Sequence, residues 1–319
     1  MNTATYLSQP GIICALGTGA QQVAKRLFAG DCSGMQPVSA QVAGRTLTCG
    51  VVADALPSVP PALARHATRN NRLLMAAMQP LHAPLQQLID LHGAGRIGVV
   101  IGTSTSGILE SGQHIGHWAR TGELPQAYSY LQQELADPAL FLSRWLGLQG
   151  PSYSLSTACT SGARALISAR RLLLSGLCDA VLCGGSDSLC PLTLNGFSSL
   201  EAVSDSLCNP FSANRQGINI GEGAALFLLT RQPLAGAEPV LLAGCGASSD
   251  AYHISAPSTD GAGAVRAMQQ ALGAAGLTAK AIDYVNLHGT ATQHNDSMES
   301  HAMQQLFGSR VACSSSKPM

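Results

Sequence analysis

The chain has 319 residues, 46% of them hydrophobic and 11% charged, with no net charge at neutral pH. That length and apolar content support one large or two fused domains. The scarcity of charge excludes both a disordered chain and the basic surface that nucleic-acid binding needs. No stretch approaches the roughly 18 uninterrupted apolar residues of a membrane helix, and the opening MNTATYLSQPGIIC lacks the basic and apolar regions of a secretion signal. Ten cysteines are scattered with no C-x-x-C pair, which argues against a zinc site or a disulfide framework and for a reducing, cytoplasmic setting.

In chain order, helical patterns are expected near 19–29, 70–93, 131–147, 161–175, 260–276 and 295–307. Between them lie short apolar runs that end in small polar residues: RIGVVIGTS (96–104), CDAVLCGGS (178–186), AIDYVNLHG (281–289) and RVACSSS (310–316). Continuous apolar strands of this kind suit a parallel sheet covered on both faces, and their alternation with helices predicts a layered α/β fold. GAALFLLTRQPLAGAEPVLLAGCGASS (223–249) reads as strand, turn, strand, an internal hairpin where one α/β unit ends and another begins. No low-complexity linker intervenes, so the expected organisation is two fused halves, 1–235 and 236–319.

ARHATRNNR (64–72) places Arg65, Arg69 and Arg72 at i, i+4 and i+7, one positive stripe if the segment is helical. It reads as a solvated face or as a docking site for an acidic partner. The alternation Tyr153, Ser154, Leu155, Ser156, Thr157 is strand-like and is followed by an amphipathic helical pattern stopped by Gly176. Cys159 falls at the junction, where the unpaired N–H groups and dipole of a helix N-terminus favour a thiolate and can hold an oxyanion. Ala158, Ser161 and Gly162 are too small to shield the sulfur. The physics leaves two readings, an activated nucleophile or a structural thiol. His288 follows an apolar run, Asn295, Asp296 and Glu299 open the next helix, and Lys317 follows a third run. Ligands of open α/β sheets bind beyond the carboxyl ends of strands, so Cys159, His288 and Lys317 are expected to share a pocket.

STACTSGARAL, NPFSANRQGINIGEGAALFLL, SSDAYHISAP, HGTATQHNDSMES and VACSSSKPM, in this order and with GIICALGTGAQQVAKRLFAGDCSGM ahead of them, resemble the sequence blocks of an elongating β-ketoacyl-acyl carrier protein synthase, a condensing enzyme of the thiolase fold. The resemblance spans essentially the whole chain. It implies a layered α-β-α-β-α fold of two similar halves, the second incomplete, and usually a dimer. It implies that Cys159 accepts an acyl group from a carrier-bound thioester. The carbanion left when a malonyl-carrier thioester loses carbon dioxide then attacks the acyl-cysteine, in fatty-acid or polyene- and polyketide-type synthesis. His288 would donate to the enolate and Lys317 would supply positive charge. Thr290, Thr292 and Phe211 would meet the phosphopantetheine arm of the acyl carrier protein, and Glu299 and Asp296 would support them, Glu299 tied to the lysine segment. No bound cofactor or metal is implied. The partners implied are acyl carrier protein, met at Arg65, Arg69 and Arg72, and a second subunit, as a homodimer or as a heterodimer with a related chain.

Three departures stand out. The chain stops at Met319, inside the lysine motif and before the Thr-Gly-His that carries the second histidine of the family's Cys-His-His set; a fragment without full condensation activity is expected. Arg215-Gln216-Gly217 replaces the usual Arg-Asp-Gly, and GTSTSGILESG (102–112), where relatives line the acyl pocket, is rich in Ser and Thr, which suggests a bulkier, more polar or unsaturated acyl chain. The competing reading is a non-catalytic partner subunit of the same fold, a chain-length factor; those relatives replace the cysteine that is present here.

Overall fold

The computed structural model describes residues 4–42, 44–236, 238–253 and 256–319. Ile254 and Ser255 of the SSDAYHISAP block lie outside them. The chain divides into two compact units that interleave along the sequence, one of Met1–Gly34, Val51–Thr193 and Gly221–Leu241, the other of Met35–Gly50, Leu194–Ile220 and Leu242–Met319.

The first unit is built on a mixed sheet. Its short N-terminal strands are β1 (Tyr6–Leu7), β2 (Gly11–Cys14) and β3 (Gly17–Thr18), followed by helix α1 (Ala20–Phe28). The second unit takes up β4 (Met35–Val42) and β5 (Arg45–Gly50), an antiparallel pair. Back in the first unit come α2 (Arg69–Met78), α3 (His82–His92), β6 (Ile97–Gly102), α4 (Ile108–Thr121), α5 (Asp137–Leu146), β7 (Ser152–Leu155), α6 (Ser161–Leu174) and β8 (Ala180–Asp187). After α7 (Pro191–Ser199) the chain returns as β9 (Gly223–Thr230) and β10 (Val240–Leu241). The strand order is β10-β1-β9-β8-β6-β7, with β2 paired to β9 and β3 to β2.

The apolar runs at 96–104 and 178–186 form β6 and β8, parallel to each other, with β7 parallel to β6. The sheet is not wholly parallel, however: β9 runs antiparallel to β8 over eight residue pairs, from Ala180↔Thr230 to Asp187↔Gly223. Nor do β9 and β10 make the expected hairpin. The N-terminal strand β1 lies between them, antiparallel to both, so the strand that separates them is supplied from more than two hundred residues away. The helix expected over 70–93 is two, because Pro80 in the 3-10 turn Gln79–Leu81 cannot donate its N–H and ends α2. Likewise 131–147 resolves into a 3-10 turn, Tyr130–Gln133, and α5, which begins with Asp137-Pro138. α4 and α7 are further helices.

The core packs α2, α3 and α5 on the sheet through Leu73, Leu74, Met78, Leu85, Phe141, Leu142, Ile97, Ile101, Leu182 and Leu226, each nearly or fully buried. Beside it a polar cluster ties three segments: His66 Nδ1 lies 2.5 Å from Asp137 Oδ1, Asn71 donates to Asp137 Oδ2, and Arg144 donates to His66 Nε2. Because a guanidinium only donates, Nε2 accepts and the proton sits on Nδ1, facing the carboxylate.

The second unit also carries α8 (Ala262–Ala275), β11 (Tyr284–Asn286), α9 (Gln293–Phe307) and β12 (Ala312–Ser314). The runs at 281–289 and 310–316 supply β11 and β12, which are parallel with Val285 opposite Cys313. Gly261, at φ 69°, caps α8; a Cβ there would stand 2.9 Å from the Met298 carbonyl oxygen of α9. Among the described residues no helix is long and apolar enough to cross a membrane.

Candidate active site

β7 ends at Leu155, and Ala158 takes a left-handed conformation (φ 52°) that turns the chain sharply into α6. Small side chains close the turn. Ser161 Oγ donates to the Ala158 carbonyl (2.6 Å) and accepts from Thr157 N (2.9 Å), while Thr160 Oγ1 donates to the Thr157 carbonyl (2.8 Å). Cys159 lies at the apex, two residues before the first helical residue, and is exposed. The other cysteines of the first unit are at least half-buried, and burial raises the thiol pKa of Cys14, Cys178 and Cys183.

Cys159 opens on a cavity of about 310 Å³ lined also by Gly102 at the end of β6, Gly162 at the start of α6, Asp187 at the end of β8, and Cys14 and Gly223 of the antiparallel strands. The carboxyl ends of the parallel strands thus meet there, as expected of an α/β sheet. Close packing makes the elbow possible: a Cβ at Gly102 would lie 2.3 Å from the Ser161 carbonyl group.

Asp187 organises the loop after β6. Its Oδ1 accepts from Ser104 N (2.7 Å), Thr105 N (2.9 Å), Thr105 Oγ1 (2.8 Å) and Thr103 Oγ1 (3.0 Å). Ser106 Oγ donates to the Gln132 and Glu134 carbonyls. The hydroxyls of Thr103, Thr105 and Ser106 in the GTSTSGILESG segment are therefore engaged inside the protein, while Ser104 is exposed.

The arginine stripe does not form. Arg65 is exposed on a 3-10 turn, Pro61–His66, and the chain leaves helical geometry at Ala67 and Thr68 before α2 begins. Arg69 turns inward, where Nε donates to Glu222 Oε2 (2.7 Å) and Nη2 to Glu222 Oε1 (2.5 Å); the Glu222 side chain is 1% exposed. Arg72 donates to the carbonyls of Pro57 (2.9 Å) and Leu56 (3.0 Å). Sequence reasoning missed both Glu222 and Asp187. Their only signal was an acid at the boundary of an apolar strand, where an unpaired charge would be costly.

The remaining candidates lie together in the second unit. His288 follows β11. Its backbone N donates to Glu299 Oε1 (2.8 Å) and Gly289 N to Glu299 Oε2 (2.7 Å), so Glu299 holds the histidine turn. Ser315 Oγ donates to the Gly289 carbonyl (3.2 Å) and accepts from Lys317 N (3.3 Å), and this hydroxyl is what joins the lysine segment to the turn. Gly289 has φ 46°, and a Cβ there would stand 2.5 Å from Ser315 and 2.9 Å from the Phe211 ring. Buried Asp296 accepts from Phe211 N (2.7 Å) and Ala291 N (3.1 Å), fixing two residues in left-handed conformations. Thr290 and Thr292 hydrogen-bond each other through their hydroxyls (2.9 Å). Arg215, of the Arg215-Gln216-Gly217 segment, lies 3.8 Å from Asp296. His288 keeps exposed surface, but protein atoms crowd its ring, and together with the Lys317 charge this desolvation holds its pKa below the usual histidine value, against the opposing pull of Glu299 and Asp296. The neutral imidazole is therefore the favoured form.

Residues 31–235 match the family described as "Beta-ketoacyl synthase, N-terminal domain" and residues 240–319 its C-terminal domain. The chain belongs to the beta-ketoacyl synthase family. It is 41% identical over 185 residues to 3-oxoacyl-[acyl-carrier-protein] synthase 2 of Rhizobium meliloti, an alignment covering 53% of this chain and 44% of that protein. It is 29% identical to Nodulation protein E of Rhizobium sp. (strain N33), covering 100% of this chain and 82% of the relative. Among solved structures it resembles a ketosynthase in complex with its chain length factor from Xenorhabdus doucetiae, with a TM-score of 0.94 and 44% identity over 99% of this chain and 79% of that one. The fold is the thiolase-like α/β fold of these condensing enzymes.

Proposed function

We propose that the protein catalyses decarboxylative condensation of an acyl group with malonyl-acyl carrier protein. The carrying observation is an exposed cysteine, Cys159, at a strand–helix elbow that opens on a cavity, in a chain whose length is almost wholly accounted for by the two halves of the family. The Cys159 thiolate attacks the carbonyl of an acyl-carrier thioester, forming an acyl-cysteine and releasing the carrier thiol. The malonyl-carrier thioester then loses carbon dioxide. Its enolate carbon bonds to the acyl carbonyl, the Cys159 thiolate leaves, and 3-oxoacyl-acyl carrier protein is formed. His288, in its neutral form, donates to the enolate oxygen, and Lys317 supplies positive charge. Thr290, Thr292 and Phe211 receive the phosphopantetheine arm of the carrier, and Glu299 and Asp296 position them through the backbone bonds described above. No cofactor beyond that arm is required.

The functional halves divide near residue 235, a reading supported by the limits of the two family matches. The reaction is cytoplasmic and runs in fatty-acid or polyene- and polyketide-type synthesis. A second subunit pairs with the chain; a related chain length factor is the partner favoured, since the Xenorhabdus ketosynthase is in complex with one. Arg65, the exposed arginine of its segment, remains available to an acidic carrier.

The test supplies octanoyl- and malonyl-acyl carrier protein and follows carbon dioxide and 3-oxodecanoyl product. Octanoyl transfer to the protein, and any 3-oxodecanoyl product, should disappear in Cys159→Ala. The alternative, a non-catalytic chain-length-factor-like subunit, predicts no product alone and none lost on that substitution when an active relative is added.

A further inference from the structure

The glycines around the Cys159 cavity are there for different reasons. Gly102 and Gly223 are excluded from carrying a side chain by backbone: a Cβ would stand 2.3 Å from the Ser161 carbonyl group and 2.8 Å from the Ile13 carbonyl oxygen respectively. A Cβ on Gly185 would lie 3.2 Å from the Gly102 carbonyl oxygen and 3.3 Å from Gly162 Cα. Gly162 differs. A Cβ built there meets no atom within 4 Å beyond its chain neighbours and the backbone of its own helix, and the backbone is ordinary right-handed helix in the first turn of α6. Neither packing nor backbone conformation asks for glycine, and alanine is the better helix former. Yet Gly162 lines the same cavity as the Cys159 sulfur.

We propose that Gly162 is a specificity-determining residue: the missing side chain keeps clearance beside the thiol for the carbons next to the thioester carbonyl, so that residue 162 sets the bulk of acyl group that Cys159 accepts. The proposal rests on the reading of Cys159 as the acyl acceptor. In the step concerned, Cys159 Sγ bonds to the acyl carbonyl carbon and the carrier C–S bond breaks. The carrier sulfur leaves with the electron pair and takes up the proton given up by the cysteine. A methyl group at 162 would project into the space the incoming acyl chain must occupy, whereas a small alkylating agent would still reach the sulfur.

The 319-residue protein, Gly162→Ala and Gly162→Val are compared for acylation by acetyl- and octanoyl-pantetheine and for alkylation by iodoacetamide, with melting temperatures alongside. Octanoyl transfer should fall about tenfold in Gly162→Ala and further in Gly162→Val, since one methylene-sized misfit in an apolar pocket costs about that much. Acetyl transfer should fall less, iodoacetamide rates should stay within about twofold by the same steric argument, and Gly162→Ala should melt no lower than the parent. Equal octanoyl and acetyl rates in all three proteins would overturn the proposal and leave the function untouched. A parallel fall in alkylation would also overturn it, as general occlusion. A parent that is alkylated but never acylated would overturn the underlying reading, and the proposal with it.

Discussion

The sulfur of Cys159 is reached through an elbow of small residues, and the imidazole of His288 is biased towards its neutral form by desolvation and by Lys317. The second bias has a pH consequence. A histidine that works as a neutral donor loses function as pH falls through its folded pKa, and here that value lies below the ordinary one of about 6.5. The acid limb of malonyl decarboxylation should therefore fall below that pH. Lys317→Ala removes a depressing charge and should move the limb upward; Glu299→Gln removes an opposing one and should move it further down. A limb unmoved by either, in a rate-against-pH series, would remove His288 from the proposed role. Site residues differed in how visible they were. Cys159 and His288 follow strand-like runs and carry reactive groups, so pattern alone singled them out. Asp187 and Glu222 were not singled out, because a sequence does not show which buried donors converge on a carboxylate.

Helix α2 shows where local pattern stops being informative. The arginine spacing implied one continuous face, but Thr68 leaves helical geometry to cap α2, accepting from Asn71 N. Thr68→Ala should cost about 1 kcal/mol, measured by denaturant unfolding. The first residue of that helix, Arg69, compensates the buried carboxylate of Glu222, which also accepts from Val52 N and Leu189 N. Removing one member of such a pair strands the other charge, so Arg69→Ala should cost about 3 kcal/mol, while Arg65→Ala, on an exposed turn, should leave the melting curve unchanged. Long periodic helices and β-branched strands were legible. Two-residue strands such as β1 and β10 were not, since they have no period to read, and α4, interrupted by glycines, serine and histidines, has a weak one.

At the scale of the molecule, what the sequence could not disclose is pairing. Inserting β1 between β9 and β10 is a choice among distant partners, made by which apolar faces the sheet can bury rather than by any local turn signal. The core of the first unit includes Phe141, fully buried and stacked on Trp145. Phe141→Ala should lower stability by about 3–5 kcal/mol, seen as a lower urea midpoint with an unchanged slope. The ordered blocks gave the family more securely than any single element, because each block marks a turn or strand end that the fold must place. What the whole account depends on is the identity of the acyl acceptor. Brief exposure to octanoyl-acyl carrier protein, followed by proteolysis and tandem mass spectrometry, should place one octanoyl group on the peptide containing Cys159, and none on Cys159→Ala. An octanoyl group carried elsewhere, or undiminished in that variant, would contradict it.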